Sequence, residues 1–513
     1  MGNLTPELES LRRKTLALAT DYGLDFFDVI FELVDYDELN MIAAYGGFPT
    51  RYPHWRYGMD YEHMSKSYAW GLSKVYELVI NNDPCYAYLM RSNSMTEQKL
   101  VMAHVYGHSD FFKNNLWFSK TSRKMMDVLA NHGARIRRFM DQYGVERVES
   151  FIDTVLSLDN LIDVYAPFIK RGRGDGELSG GGDREAGSSF KIEAKDYMDR
   201  YINPPEYIRE CRENEEARIA ALENRFPANP ERDVLGFMLR HAALEDWEQS
   251  VLSMLREEAY YFAPQGMTKI MNEGWAVYWH SKFMTSHLLE ASEVISYADS
   301  HSGALSAEPG QINPYKLGLE LFLDIEERWD RGKYGPEFER CEDAEQRRNW
   351  DTREGKGREK IFQVRKVYND VTFVDDFVDA DFAEKQKLFI YGFNEAEGRY
   401  EIVDRDYRKV KSQLLNSLTN FGNPVITVAD GNYMNRGELY LHHDWMGADL
   451  QFEQALRTLG LLQSMWKRPV HLETREAGKP RLLSHDGSQA EMKEISGSSE
   501  APELVGVDDG GRD

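Results

Sequence analysis

Two stretches of this chain combine residue types that bind metal ions. In EQKLVMAHVYGHSDFFKNN, from Glu97 to Asn115, the side chains of Glu97, His104 and His108 are spaced seven and then four residues apart. On an α-helix such positions lie on one face. Two imidazoles at i and i+4 can hold one divalent ion from the same helix, as in the HExxH zinc motif. In MTKIMNEGWAVYWHSKFM, from Met267 to Met284, Glu273 and His280 are again seven apart and share a helix face, while Trp275, Tyr278 and Trp279 suit a packed core. A carboxylate and an imidazole in so apolar a segment are costly to bury unless they are paired or liganded. The expectation is a metal site drawn from Glu97, His104, His108, Glu273 and His280.

Other polar groups are weaker candidates, each competing with a structural role. Arg256, Glu257 and Glu258 precede the second stretch, and a solvated helix face explains them as readily as a further ligand does. His54 and Arg56 lie in an aromatic, proline-containing loop that could line a pocket or simply pack. YADSHSG and NPYKLG offer Asp299, His301, Asn313 and Lys316 as pocket groups. His442, His443 and Asp444 end a strand-like run. Adjacent residues on a strand point to opposite faces, so these two histidines read as structural or interfacial. GDGELSGGG follows no strand and lacks the GK[ST] ending of a phosphate loop, and no GxSxG nucleophile elbow is present.

The elements that must position these residues follow from periodicity. Residues 1–168 read as helical, with Leu16, Leu18, Tyr22, Phe26 and Ile30 at near-helical spacing. Residues 169–191 are glycine-rich, charged and non-periodic, which predicts a flexible insertion. Residues 192–332 are helical again and are expected to pack with 1–168 as one domain. Asp233 starts a helix, Pro264 ends the next, and a new one begins near Thr268. Residues 333–360 form a charged connector. From 361 to 485, short β-branched and aromatic runs (VTFVDDFV, KLFIYGF, RYEIV, NPVITVAD, GELYLHH, RPVHLET) alternate with two helical stretches, which predicts a small α+β domain. Residues 486–513 read as a disordered acidic tail. The fold class is therefore a mainly α N-terminal two-thirds, zincin-like or bundle-like, plus a smaller C-terminal α+β domain.

Composition narrows the function. The 513 residues, 42% hydrophobic and 12% aromatic, suffice for about two to four domains with a substantial core. A net charge of −24 argues against non-specific nucleic-acid binding, which needs Lys and Arg on phosphates. No apolar run of about 18 residues predicts a membrane span. The N-terminus lacks the form of a secretory signal, so the cytoplasm is the expected location. Cys85, Cys211 and Cys341 form no CxxC pair, which argues against a disulfide framework or a thiolate zinc site.

Two resemblances add to this reading. HVYGH followed by MNEGWA resembles the gluzincin type of zincin, in which one helix supplies two histidines and a second supplies a glutamate from a motif like NEGFA. That resemblance implies His104, His108 and Glu273 as ligands and zinc as the ion. The sequence departs from the pattern where the general-base glutamate would stand, at Val105, and in the long spacing between the helices. Losing a general base typically costs about 10²–10⁴ in rate, unless Glu97, His280 or Glu258 takes over the catalytic role. More broadly, YPHWRYGMDYE, VINNDPCYAYLM, KLVMAHVYGHSDFFKNN, REEAYYFAPQGMTKIMNEGWAVYWHSK and NPYKLG resemble the SpoVR family, named for stage V sporulation. The resemblance implies a link to spore cortex, that is peptidoglycan, formation. It also implies the company of an AAA+ serine protein kinase and a von Willebrand A (VWA)-domain protein. Similar proteins in non-sporulating organisms point to a more general role, such as stress physiology.

Three functions stay open at the level of sequence. One is a divergent metal-dependent hydrolase. The second is a helical di-metal oxidase or oxygenase with iron, since Glu97, His104, His108, Glu273 and His280 exceed what one zinc ion needs. The third is a non-catalytic regulatory or scaffold protein, favoured by Val105.

Overall fold

The structure, a computed structural model, describes residues 4–69, 77–169, 204, 209, 226–307, 311–394 and 399–495. In chain order the elements are α1 (Pro6–Asp21), β1 (Val29–Val34), α2 (Tyr36–Ala44), α3 (Trp55–Ala69), β2 (Leu78–Ile80), β3 (Cys85–Met90), α4 (Met95–Asn114), α5 (Met125–Tyr143) and α6 (Val145–Leu156). They continue with α7 (Val234–His241), α8 (Asp246–Met267), α9 (Lys269–Phe283), α10 (Val294–Leu305), α11 (Pro314–Asp330), α12 (Gly335–Glu339), α13 (Ala344–Arg348), α14 (Gly357–Val367), α15 (Asp370–Phe377) and α16 (Ala380–Lys385). The last part holds β4 (Ile390–Asn394), β5 (Arg399–Asp404), α17 (Tyr407–Leu418), β6 (Ile426–Tyr433), β7 (Glu438–His443), α18 (Phe452–Trp466), β8 (Val470–Glu476), β9 (Lys479–His485) and β10 (Ala490–Glu494). The N-terminal two-thirds is mainly helical and the C-terminal part mixes helices with sheet.

The chain divides into two compact units. One comprises Met1–Ser150 with Glu257–Asn423, the other Phe151–Arg256 with Pro424–Asp513. In the second unit a five-stranded sheet runs β10-β9-β8-β7-β6. Only β7 and β8 pair in parallel, which requires the crossover that α18 supplies. Its core includes Val428, Leu439, Leu441, Leu459, Leu462, Val470, Leu472 and Leu483.

The first unit carries both histidine motifs. Every residue of α4 from Val101 to Phe112 is buried, and so is every residue of α9 from Ile270 to His280 except Glu273. Helices apolar on all sides in this way belong to a core centre. Ser94 and Glu97 start α4 with a reciprocal capping box. No local side chain caps α9. The buried Asp370 carboxylate instead accepts the N–H groups of Ile270 and Met271, at 2.8 and 2.9 Å. Small residues then bring helices α4, α9 and α11 unusually close. A Cβ on Gly107 would lie 2.7 Å from Ala276 Cα, and one on Gly274 would lie 2.4 Å from Gly318 Cα.

Several elements differ from the sequence expectation. A three-stranded sheet, β1-β3-β2, interrupts the helices expected over 1–168. β1 and β3 are parallel, β3 is largely buried, and so short an apolar-rich run has no period to separate it from helix. VTFVDDFV, expected as a strand, is helix α15. Asn369 caps it, and Phe373, Val374 and Phe377 bury one face. Pro264 lies inside α8, close enough to its end to remove one backbone bond without stopping the last turn. The first unit extends to Asn423 rather than ending at the connector 333–360. The cause is packing: Ile361, Val364, Phe373, Phe382 and Leu414 share one core with Trp275 and Phe322. The tail expected from residue 486 begins with strand β10, whose side chains are all exposed and so carry no alternation. The glycine-rich insertion from residue 170 onward, Cys211 and the tail beyond residue 495 lie outside the described residues. Among the described residues no helix is long and apolar enough to cross a membrane.

Candidate metal centre

Glu77, His104, His108 and Glu273 place one ligand atom each within 4.8 Å of one another. His104 Nε2 stands 2.9 Å from Glu77 Oε1 and 3.6 Å from Glu273 Oε2. His108 Nε2 stands 3.7 Å from Glu77 Oε1 and 3.5 Å from Glu273 Oε2. The helical spacing of four brings the two rings to a centroid separation of 4.6 Å on α4. The glycine crossing at Gly107 and Ala276 sets Glu273 of α9 against them. Glu77 arrives from the residue just before β2.

A second layer aims the rings. His108 Nδ1 is 2.9 Å from Asn272 Oδ1, an acceptor, so Nδ1 carries the proton and Nε2 is free to face the cluster. His104 Nδ1 is 2.8 Å from His280 Nδ1, and His280 Nε2 is 3.2 Å from His301 Nδ1. A single direction of donation, from His104 to His280 to His301, leaves the Nε2 lone pair of His104 toward the carboxylates.

Electrostatics within the cluster are strongly coupled. Burial works to raise the Glu77 carboxyl, but the charge of His104 and the contacts of both rings hold it at about 2. Glu273 is likewise held far below the ordinary carboxylate range against burial, by His104 and His108. Burial works against charge on the histidines too. Glu77 nevertheless raises His104, and Glu273 with Glu77 pushes His108 up to about 10. Burial, helped by the neighbouring rings of His104 and His301, drives His280 well below its ordinary value, so it stays neutral.

This donor set fits a divalent ion. Two imidazole nitrogens and two carboxylate oxygens are ligands that zinc and iron both accept. His104 Nε2 and Glu273 Oε2 are buried without a well-directed hydrogen bond, although charged neighbours stand within 4 Å of each. Both point into the cluster.

The remaining sequence candidates sit elsewhere. Glu97 does not join the stripe, because its carboxylate turns back to accept the Ser94 N–H at 2.7 Å in the capping box. Glu258 belongs to a separate buried group, 2.6 Å from Arg51 Nη2 and 2.9 Å from His132 Nδ1, with Glu257 3.4 Å from His132 Nε2. His54 is buried among the rings of Tyr52, Trp55 and Tyr57, while Arg56 is exposed and pairs with Asp60. Asp299 is exposed. Asn313 caps α11, accepting the Tyr315 N–H at 2.9 Å. It also lines, with Lys316, Leu317, Leu388 and Val410, a separate cleft of about 580 Å³. In the second unit, His443 turns inward to Thr474 and His442 lies near Glu473, on opposite faces of β7.

Two residues of the centre are absent from the sequence reading. Glu77 is a lone acid in KVYELVINN, two residues before the VINNDPCYAYLM motif and tied to no helical spacing. Tyr315 lies inside NPYKLG, between the two residues singled out there. Its ring stacks on His104 at 6.4 Å and 28°. Burial, then the Glu273 and Glu77 carboxylates, raise its phenol far above the ordinary value.

Fold and site together define a mainly helical protein with a buried two-histidine, two-carboxylate cluster that could hold a metal ion. The chain belongs to the SpoVR family: the family model described as "SpoVR like protein" matches residues 3–423. It is also 28% identical over 499 residues to the uncharacterized protein YcgB of Escherichia coli (strain K12), covering 90% of this chain and 91% of that protein. No solved structure matches.

Proposed function

We propose that this protein is a divergent metal-dependent hydrolase of the cytoplasm, in which His104, His108 and Glu273 hold zinc and Glu77 is the general base. The observation that carries this reading is the second carboxylate, 2.9 Å from His104 Nε2, in a chain whose usual base position is the buried Val105. A bound zinc ion would supply a Lewis acid that polarises the scissile carbonyl. Glu77, ionised at neutral pH, accepts the proton of the attacking water and returns it to the leaving amine. Asn272 and His280 hold the two rings in the tautomers that face the site. The family's association with the spore cortex supports amide bonds of peptidoglycan-type peptides as substrate. Its association with an AAA+ serine protein kinase and a VWA-domain protein supports those as partners.

Metal analysis of the purified full chain tests the reading. Wild type and Glu77→Gln should each carry about one zinc per chain and His104→Ala/His108→Ala none. Peptide hydrolysis should fall at least about 10²-fold in Glu77→Gln. The near-equal spacing of the four donors favours one competing reading, in which Glu77 is a fourth ligand closing a structural site of a regulatory scaffold. Loss of zinc from Glu77→Gln would select that reading.

A further inference from the structure

This inference rests on the metal centre proposed above and concerns what binds there. Among the described residues, the cluster is more exposed at its carboxylates than at its imidazoles. The side chains of Glu77 and Glu273 are 17% and 15% exposed, against 3% and 5% for His104 and His108. A ligand therefore meets the carboxylate side first, where ionised oxygens repel anions and only accept hydrogen bonds.

Tyr315 supplies what that side lacks. Its hydroxyl has Glu273 as hydrogen-bond partner and Glu77 as a further charged neighbour, and its ring lies on His104. It is held in place from two directions. Asn313 accepts the N–H groups of Tyr315 and Lys316 and donates to the carbonyls of Ala304 and Ser306, at 2.9 and 2.8 Å. One turn further along α11, the backbone contact of Gly318 with Gly274 fixes this helix against the residue next to Glu273. A half-buried phenol O–H so fixed is a neutral donor in a ring of acceptors. Lys316, beside it in sequence, is exposed.

We propose that Tyr315 is the ligand-recognition residue of the centre, donating its O–H to a planar two-oxygen anion, the carboxylate or hydroxamate end of a small ligand, bound on the Glu77–Glu273 side. One oxygen of the anion takes the phenol hydrogen bond in place of Glu273, and the other faces the metal position. A neutral ligand of the same size gains less, because a hydrogen bond to a charged acceptor is roughly twice as strong.

The test uses the full chain loaded with Co(II), wild type beside Tyr315→Phe, titrated with acetohydroxamate and read by the visible cobalt absorption. Both proteins should take up one equivalent of cobalt. The dissociation constant for acetohydroxamate should rise about 10- to 100-fold in Tyr315→Phe, the range for losing one hydrogen bond to a charged group. Acetamide, the neutral control, should change by only about 3- to 10-fold, half as much in free energy. Equal acetohydroxamate affinity in the two proteins overturns the proposal. So does loss of cobalt from Tyr315→Phe, which would assign the phenol to building the centre. Absence of cobalt uptake by the wild type would instead remove the metal centre itself.

Discussion

Replacing Gly107 by alanine tests the claim that helix proximity builds the centre. In an exposed helix the change stabilises by about 1 kcal/mol, because glycine loses more backbone freedom on folding. At Gly107 the new Cβ would lie 2.7 Å from Ala276 Cα and 3.2 Å from its Cβ. Carbon atoms prefer about 3.5–4.0 Å, so α4 and α9 must separate by on the order of 1 Å. Overpacking of this kind costs roughly 1–3 kcal/mol, which offsets the propensity gain and leaves a net loss of up to about 2 kcal/mol. The same separation draws His104 and His108 away from Glu273, whereas metal–ligand distances tolerate only about ±0.2 Å. Zinc affinity should fall at least about 10-fold, the loss typical of disturbed ligand geometry. Gly58, in α3, is the control: its added Cβ meets nothing within 4 Å, so Gly58→Ala should gain about 0.5–1 kcal/mol and leave zinc binding alone. Urea unfolding and competitive zinc titration on both variants decide the matter. A Gly107→Ala protein as stable as Gly58→Ala, with wild-type zinc affinity, would refute the reasoning.

Three further perturbations follow from the same geometry. Asn272→Leu removes the acceptor of His108 Nδ1 and should weaken zinc binding about 10–100-fold, measured by chelator competition; an unchanged affinity would contradict the tautomer assignment. Glu258→Gln leaves the buried Arg51 guanidinium without its anion, at a cost of about 3–5 kcal/mol in urea unfolding. A loss under about 1 kcal/mol would show that the group is not closed off from water. Asp370 gives a pH signature: burial raises its carboxyl to about 7, against about 3.9 unfolded, despite the N–H groups of Ile270 and Met271 that it accepts. Between those values the folded state binds a proton that the unfolded state has released, so stability falls as pH rises from about 4 to about 7. The stability of wild type relative to Asp370→Asn should therefore decline across that range in paired thermal melts. A constant difference would count against the raised carboxyl.

What the sequence disclosed about the centre was whatever helical periodicity encodes. His104 and His108 face one way because they are four apart on α4, and Glu273 meets them because α9 runs through the same core. The same rule placed Glu97 and His280 on the correct faces but said nothing of their hydrogen bonds. Glu97 turned to its own N-terminus, and His280 went behind His104 rather than into the cluster. Glu77 has no period to reveal it, since its position depends on where β2 pairs with β3. Tyr315 is set by a glycine-to-glycine helix crossing, a tertiary fact that NPYKLG does not spell out. The fold shows the same division. Exposed turns and longer amphipathic helices were legible, whereas β1, β3 and α15 are short runs whose type only their neighbours decide.

The raised imidazoles of the cluster have a consequence for how the protein acquires its ion. Unloaded, the carboxylates of Glu77 and Glu273 draw protons onto His104 and His108. A divalent ion would take the place of those protons. Each ion taken up must expel two protons, so apparent affinity should change by as much as about a hundredfold per pH unit while both rings are protonated. Mild acidification alone would then empty the centre.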